Sequence, residues 1–313
     1  MTPDFPLIVD VDTGVDDAVA LAYATVVSRN LIGATTVAGN VPVEVATANT
    51  RNVLANLGRA DIPVLRGASQ PLVAKYQDAT EVHGGNGLGG VRLRDSEREV
   101  DVTPGPAFIV QMARKYAGEL VLVMTGPLTN LAIAINVRPE IVDKIARVVV
   151  MGGAYTVAGN VTSQAEFNVF VDPEAAAQVF AAPWKDLTLI GLDVTHQTVF
   201  SRSMWDAIPE SADGSPWMVR SVMERTFTER GLSGFCLHDP LAMAVAFDPD
   251  LVAGPRQAVS VGVAGEERGK TTLQEGPGPL IATSVDVTGF LEKMAQALEL
   301  PSSVVGDGFT RAI

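Results

Sequence analysis

The sequence predicts an α/β fold with a mainly parallel central sheet flanked by helices on both faces, an open Rossmann-like arrangement with a few antiparallel strands. Three observations carry this expectation. Short apolar runs alternate with helical patterns from the first residues onward. Those runs are apolar at successive positions, as strands covered on both faces require, where a half-exposed strand would alternate. Glycine numbers 29 and aromatics make up only 6%, which suits helices packed closely on a sheet better than a β-sandwich.

In chain order, PLIVDV at 6–11 reads as a fully buried strand, and 16–29 as a helix apolar on nearly all sides. A strand follows at 31–38, a helix at 43–57 and a short strand at 63–65. The pattern resumes with a helix at 106–116, a strand at 119–124 and a helix at 128–137. Buried strands are expected at 147–151 and 187–192, with a helix at 173–180 between them. Residues 257–286 alternate in strand fashion, and 289–298 closes as a helix. Two stretches break the rhythm. Residues 67–103 hold the glycine-rich HGGNGLGG and the charged RLRDSEREVD, so a loop excursion is expected there. Residues 201–236 are polar and mixed, and read as a helical segment. No repeat, low-complexity tract or linker divides the chain, so 1–313 is read as a single domain.

A formal net charge of −13 argues against nucleic acid or an anionic membrane as partner, because either needs a basic field. The single cysteine, Cys236, allows neither an intramolecular disulfide nor a cysteine-rich metal site. The N-terminus lacks the basic and apolar regions of a signal peptide, and the longest apolar runs, such as 18–27, are too short to span a bilayer. A cytoplasmic protein is the expectation.

In an open α/β sheet, ligands bind beyond the carboxyl ends of the strands. Polar or small residues gather there: Asp10 and Asp12, Gly39 and Asn40, Thr125 and Gly126, and Gly152 and Gly153. The most informative segment is DVDTGVDD at 10–17. A helix cap needs one acid, and this stretch has four. Set on a buried strand end and a helix start, they repel one another unless a cation is present. An all-oxygen cluster favours hard ions such as Ca²⁺ or Mg²⁺. The helix N-terminus offsets part of the charge on Asp16 and Asp17.

Asp10 and Asp12 after an apolar strand resemble the first motif of haloacid dehalogenase-like phosphatases, Asp-x-Asp-x-Thr/Val. That resemblance implies Mg²⁺-dependent phosphate release through a covalent aspartyl at Asp10. Here the last position is Gly14, and the motif gives Asp16 and Asp17 no task. The whole segment is more similar to the opening Asp-x-Asp-x-Gly-x-Asp-Asp of the nucleoside hydrolases, the inosine–uridine-preferring type in particular. The resemblance continues in order through AGN at 38–40, VHGGNGLGG at 82–90, TGPLTNLA at 125–132, MGGA at 151–154, GNVTSQAEFNVFVDPEAA at 159–176 and HDPLA at 238–242. The departure in the first motif is Thr13, where proline is common, and no side-chain chemistry is expected of it.

The nucleoside hydrolase resemblance implies cleavage of the N-glycosidic bond of ribonucleosides such as inosine or uridine, in a homodimer or homotetramer. It implies Ca²⁺ held by Asp12, Asp17, the Thr125 carbonyl and Asp239, together with the ribose diol and the attacking water. Asp12 is then the general base, His238 the acid for the leaving base, and Asp10 a partner that orients the metal loop. Asp16, Asn40, Asn160, Glu166 and Asn168 resemble the sugar-binding set. Such a polar site discriminates by ~10⁴-fold against a sugar lacking a hydroxyl. Glu166 and Asn168 are expected to point one way by strand-like alternation. His83, in the glycine-rich loop, is placed to contact or cover the base, and His196 has no assigned task. The segment 201–236 is expected to form a lid or wall around the base, with Phe227, Arg230 and Phe235 as contact candidates and Cys236 as a packed thiol. A nucleoside- or ribose-binding protein without catalysis is the non-enzyme alternative.

Overall fold

The structure, a computed structural model, describes residues 4–308. The first half of the sheet comes from β1 (Leu7–Val11), α1 (Val15–Val27), β2 (Leu31–Thr36), α2 (Val43–Asn56) and β3 (Val64–Arg66). The excursion contains one helical turn, α3 (Thr80–His83), and leads to α4 (Gly105–Lys115), β4 (Val121–Met124), α5 (Thr129–Val137) and β5 (Arg147–Met151). Next come α6 (Phe167–Val171), α7 (Pro173–Ala181), β6 (Leu187–Ile190) and α8 (Leu192–Thr195). The segment expected to be helical is α9 (Arg202–Asp206) and α10 (Gly214–Thr228), bracketed by the hairpin strands β7 (Val199–Ser201) and β8 (Gly234–Cys236). Helix α11 (His238–Phe247) precedes β9 (Val252–Ala253), β10 (Ala258–Val261), β11 (Thr271–Gln274), β12 (Leu280–Ile281), β13 (Ser284–Val285) and α12 (Val287–Ala297).

The central sheet has the order β12-β6-β5-β4-β1-β2-β3, with every pairing parallel. The small sheets β7–β8, β9–β13 and β10–β11 are antiparallel. The chain starts mid-sheet, runs outward to β3, then returns to lay β4 on the other side of β1. That reversal opens a crevice beyond the carboxyl ends of β1 and β4.

Side chains alternate between the two faces. Leu7, Val9 and Val11 enter one core with α1, α10, α11 and α12, while Ile8, Leu122 and Val148 enter the other with α4, α5 and α7. Both faces are covered, so every residue of β1 is buried and the strand is apolar except for Asp10. Helix α1 is apolar nearly all round because α10 and α11 pack against it as well as the sheet. A change such as Leu21→Ala there costs about 2–5 kcal/mol.

The strand expected over 31–38 stops at Thr36. Val37 and Ala38 then donate to the Val11 and Ala68 carbonyls, which steers Gly39 and Asn40 toward the crevice. Phe227 is a correction. It is 1% exposed and packs against Trp205 with ring centroids 5.5 Å apart, so it is core and no contact for a base. Among the described residues no helix is long and apolar enough to cross a membrane.

Candidate active site

Asp10 is the penultimate residue of β1, with its side chain fully buried. Its Oδ2 accepts from the Thr35 hydroxyl and from Asn130 Nδ2 at 2.7 Å, and its carbonyl accepts the Thr125 N–H at 2.9 Å. Asn130 also donates to the Thr36 carbonyl and accepts from the Ala68 N–H. Asp10 therefore fastens the ends of β1, β2 and β4 together. Burial raises its pKa to about 7, against the lowering effect of Thr35 and Asn130. Thr35 and Asn130 hold the same Asp10 oxygen beneath the acidic loop, an anchoring arrangement that gives no support to the aspartyl nucleophile of the phosphatase resemblance.

Asp12 leaves the strand and meets Asn40, whose backbone N–H donates to Oδ2 at 2.6 Å and whose Nδ2 donates to Oδ1 at 3.2 Å. Asp17, in the first turn of α1, accepts from the Gly14 N–H at 2.8 Å, the Thr125 hydroxyl at 2.7 Å and Asn40 Nδ2 at 3.3 Å. Asp239 arrives from the first turn of α11. Oxygens of Asp16, Asp17 and Asp239 lie within 4.8 Å of one another. This trio contains Asp16 in place of Asp12, which stands beside Asp17 with its oxygens turned to Asn40. Burial first, then mutual repulsion, holds Asp12 and Asp239 well above the carboxylate range, and burial pushes Asp16 to about 6.

The donor set fits a hard divalent cation. All its atoms are oxygens, Asp16 Oδ1 is buried without a hydrogen-bond partner, and the N-termini of α1 and α11 carry the acids. The two helix ends supply only partial positive charge, too little for several carboxylates at once.

A cavity of about 250 Å³ opens above these acids and is lined by Asp16, Asn40, His83, Thr125, Asn160, Glu166, Asn168, His238 and Asp239. Every residue assigned to the sugar therefore reaches one cavity, together with Phe235. The strand-like alternation expected for Glu166 and Asn168 is wrong. Glu166 is the N-cap of α6, and its carboxylate accepts the backbone N–H groups of Asn168, Val169 and Gly153 at 2.8 to 3.1 Å. The two side chains converge because a cap and the second residue of its helix share a turn. Asn168 Nδ2 donates to the Thr125 carbonyl at 2.7 Å and the Met151 carbonyl at 3.2 Å, bridging the ends of β4 and β5. Asn160 is exposed, and its Oδ1 accepts the Phe167 N–H at 2.9 Å.

His83 is buried, and its Nδ1 accepts the Val15 N–H at 3.1 Å, one of the free donors at the start of α1. Burial lowers its pKa to about 4. The ring lies so close to Gly14 that a Cβ there would stand 2.5 Å from Nδ1, so the glycine of DVDTGVDD is a space requirement. His238 bonds Thr195 through Nδ1, and its ring meets His196 edge-on, with centroids 5.8 Å apart. Burial, then His196 and His83, push His238 to about 3. Arg230 is exposed and, like Cys236, does not line the cavity. Cys236 is half-buried.

Sequence reasoning missed several supports. Asn130 lies inside TGPLTNLA without being singled out. Asn49 Nδ2 donates to the Thr13 and Asn86 carbonyls and ties the acidic loop to the glycine-rich one. Thr13, thought idle, pairs its hydroxyl with that of Thr50 at 2.6 Å. Asn130, Asn86 and Thr13 lie in the quoted motifs, whereas Asn49 and Thr50 lie outside them and carried no signal.

Buried acids at the reversal of a parallel α/β sheet, under a cavity walled with carboxylates and amides, define a site for a small hydroxyl-rich molecule. The chain belongs to the inosine-uridine preferring nucleoside hydrolase family, whose model matches residues 7–292. A probable uridine nucleosidase of Arabidopsis thaliana is 35% identical over 274 residues, which cover 85% of each chain. The non-specific ribonucleoside hydrolase RihC of Klebsiella pneumoniae is 35% identical over 303 residues, 94% of this chain and 98% of the relative. A solved plant nucleoside hydrolase superposes with a TM-score of 0.89 at 30% identity, covering 96% of this chain and all of the other.

Proposed function

We propose that this protein hydrolyses the N-glycosidic bond of ribonucleosides such as inosine or uridine to ribose and free base. The observation that carries the reading is the meeting of Asp16, Asp17 and Asp239 beneath a cavity lined with Asn40, Glu166 and Asn168. Asp12, Asp17, Asp239 and the Thr125 carbonyl are the residues to hold Ca²⁺, with Asp16 adjoining. A bound divalent ion supplies the positive charge these acids lack, a seat for a diol, and a lowered pKa for water.

Asp12 then takes the proton of the attacking water, while Asp10 and Asn130 keep the loop beneath it in place. Asn40, Asn160, Glu166, Asn168 and Asp16 take the ribose hydroxyls. The surrounding carboxylates favour the positive charge that develops on the sugar. As the C–N bond breaks, its electron pair leaves with the base, to which His238 donates a hydrogen bond or proton. His83 and Phe235, which also line the cavity, are the candidates to contact the base. The segment 201–236 acts in this reading as a wall around the base, and 1–313 as a single unit that the resemblance pairs into a homodimer or homotetramer.

Incubation with inosine, uridine, cytidine and adenosine, with and without chelator, tests this by release of reducing sugar. Turnover that chelation removes and Ca²⁺ restores is the expected result. No turnover of any of the four with metal supplied defeats it and leaves the non-catalytic binder.

A further inference from the structure

His238 is held from behind by a residue that the family motifs do not single out. Thr195, the last residue of α8, is fully buried, and its Oγ1 lies 2.7 Å from His238 Nδ1. The Thr195 backbone is already engaged, its N–H with the Gly191 carbonyl and its own carbonyl with Thr198. Among the described residues, His238 Nδ1 is the one hydrogen-bond partner of the Thr195 hydroxyl. A buried hydroxyl proton without an acceptor is costly, so Thr195 must donate and Nδ1 must accept. The ring proton then sits on Nε2, the nitrogen left for the cavity that His238 lines.

We propose that Thr195 is a positioning residue that fixes the His238 tautomer, so that the histidine meets the cavity as a hydrogen-bond donor through Nε2. The inference rests on the hydrolase reading for its consequence in catalysis, though not for the tautomer itself. The same short helix also holds the loop bearing Asn160. Asp193 accepts the backbone N–H groups of Tyr155 and Thr156 at 2.9 and 2.8 Å. One helical turn therefore sets the base-side donor and anchors the sugar-side loop.

Nitrogen NMR of the metal-loaded protein tests this directly, because only three histidines contribute signals. His238 is expected as Nε2–H with an unprotonated Nδ1. Thr195→Val is expected to populate the other tautomer, and Thr195→Ser to restore the native one. With uridine, kcat is expected to fall about tenfold in Thr195→Val with KM little changed, and to recover in Thr195→Ser. A native His238 carrying its proton on Nδ1 overturns the proposal without any variant. An unchanged tautomer in a folded Thr195→Val does so too. The native tautomer in a protein that turns over no nucleoside upholds the positioning and defeats the hydrolase reading instead.

Discussion

Asn40 grips Asp12 through two donors at once, its backbone N–H at 2.6 Å and its side-chain Nδ2 at 3.2 Å. Both carboxylate oxygens are thereby held, fully buried, without a positively charged partner. An acid fixed this way keeps its orientation while remaining able to take a proton. Asp12→Asn removes that ability and sets one amide N–H₂ against a donor of Asn40. Turnover of uridine or inosine should fall by about 10³-fold or more, with circular dichroism unchanged. Near-normal rates would show that the base lies elsewhere.

His238 lines the cavity at the start of α11 and differs from Asp12 in role and in place along the chain. His238→Ala should slow natural nucleosides by about 10²-fold or more, because their bases leave poorly without a donor. p-Nitrophenyl riboside carries an activated leaving group and should lose far less. Equal losses on both substrates would remove His238 from leaving-base assistance.

Asn130 serves three partners in the floor beneath the acids: Asp10, the Thr36 carbonyl and the Ala68 N–H. Asn130→Ala takes a hydrogen bond from each: Asp10 keeps Thr35 and the Thr36 carbonyl keeps the Gly67 N–H, while the half-buried Ala68 N–H is left without a partner. A stability loss of about 3 kcal/mol is expected from the urea midpoint, with weaker metal binding following from the loosened loop. A loss below about 0.5 kcal/mol would contradict the role assigned to it.

The raised acids give the metal-free protein a particular pH dependence. Their folded pKa values lie above the unfolded ones, so the stability they contribute is full near pH 4 and is lost as pH climbs through about 6 for Asp16 and about 7 for Asp10, with Asp12 and Asp239 acting in the same direction. His83 and His238 are lowered to about 4 and about 3, so their contribution is lost only as pH falls below the unfolded value near 6.5. Between about pH 7 and 8.5 the histidines are mostly neutral in both states, and the raised acids dominate the slope. With chelator, the melting midpoint should drop by roughly 5 °C across that window. Excess Ca²⁺ should flatten the slope, and a chelated protein with no slope would refute the charge crowding.

What the sequence made legible is what is local. The run of β1, apolar but for Asp10, announced a strand buried on both faces, and four acids in DVDTGVDD announced a charge needing a counter-ion. Asn130 and Asp10 are 120 residues apart, and Thr195 and His238 are 43 apart. Each of those bonds exists only after the sheet has assembled, so no spacing reveals it. Glu166 and Asn168 show a subtler failure, since their two-residue spacing suits a strand as well as a cap with its helix. Phe227 and Phe235 look alike in sequence, and only the packing of α10 on Trp205 sends the first into the core.

The distance along the chain between Asp17 and Asp239 also sets the order of assembly. Acids at the start of the polypeptide wait for α11, made near the end of synthesis, before the trio closes. A cation therefore finds its full set of ligands only on a finished fold and acts like a rivet set last. Its removal should loosen the docking of α11 against α1 before it disturbs the sheet, and hydrogen exchange in those first turns would register that opening first.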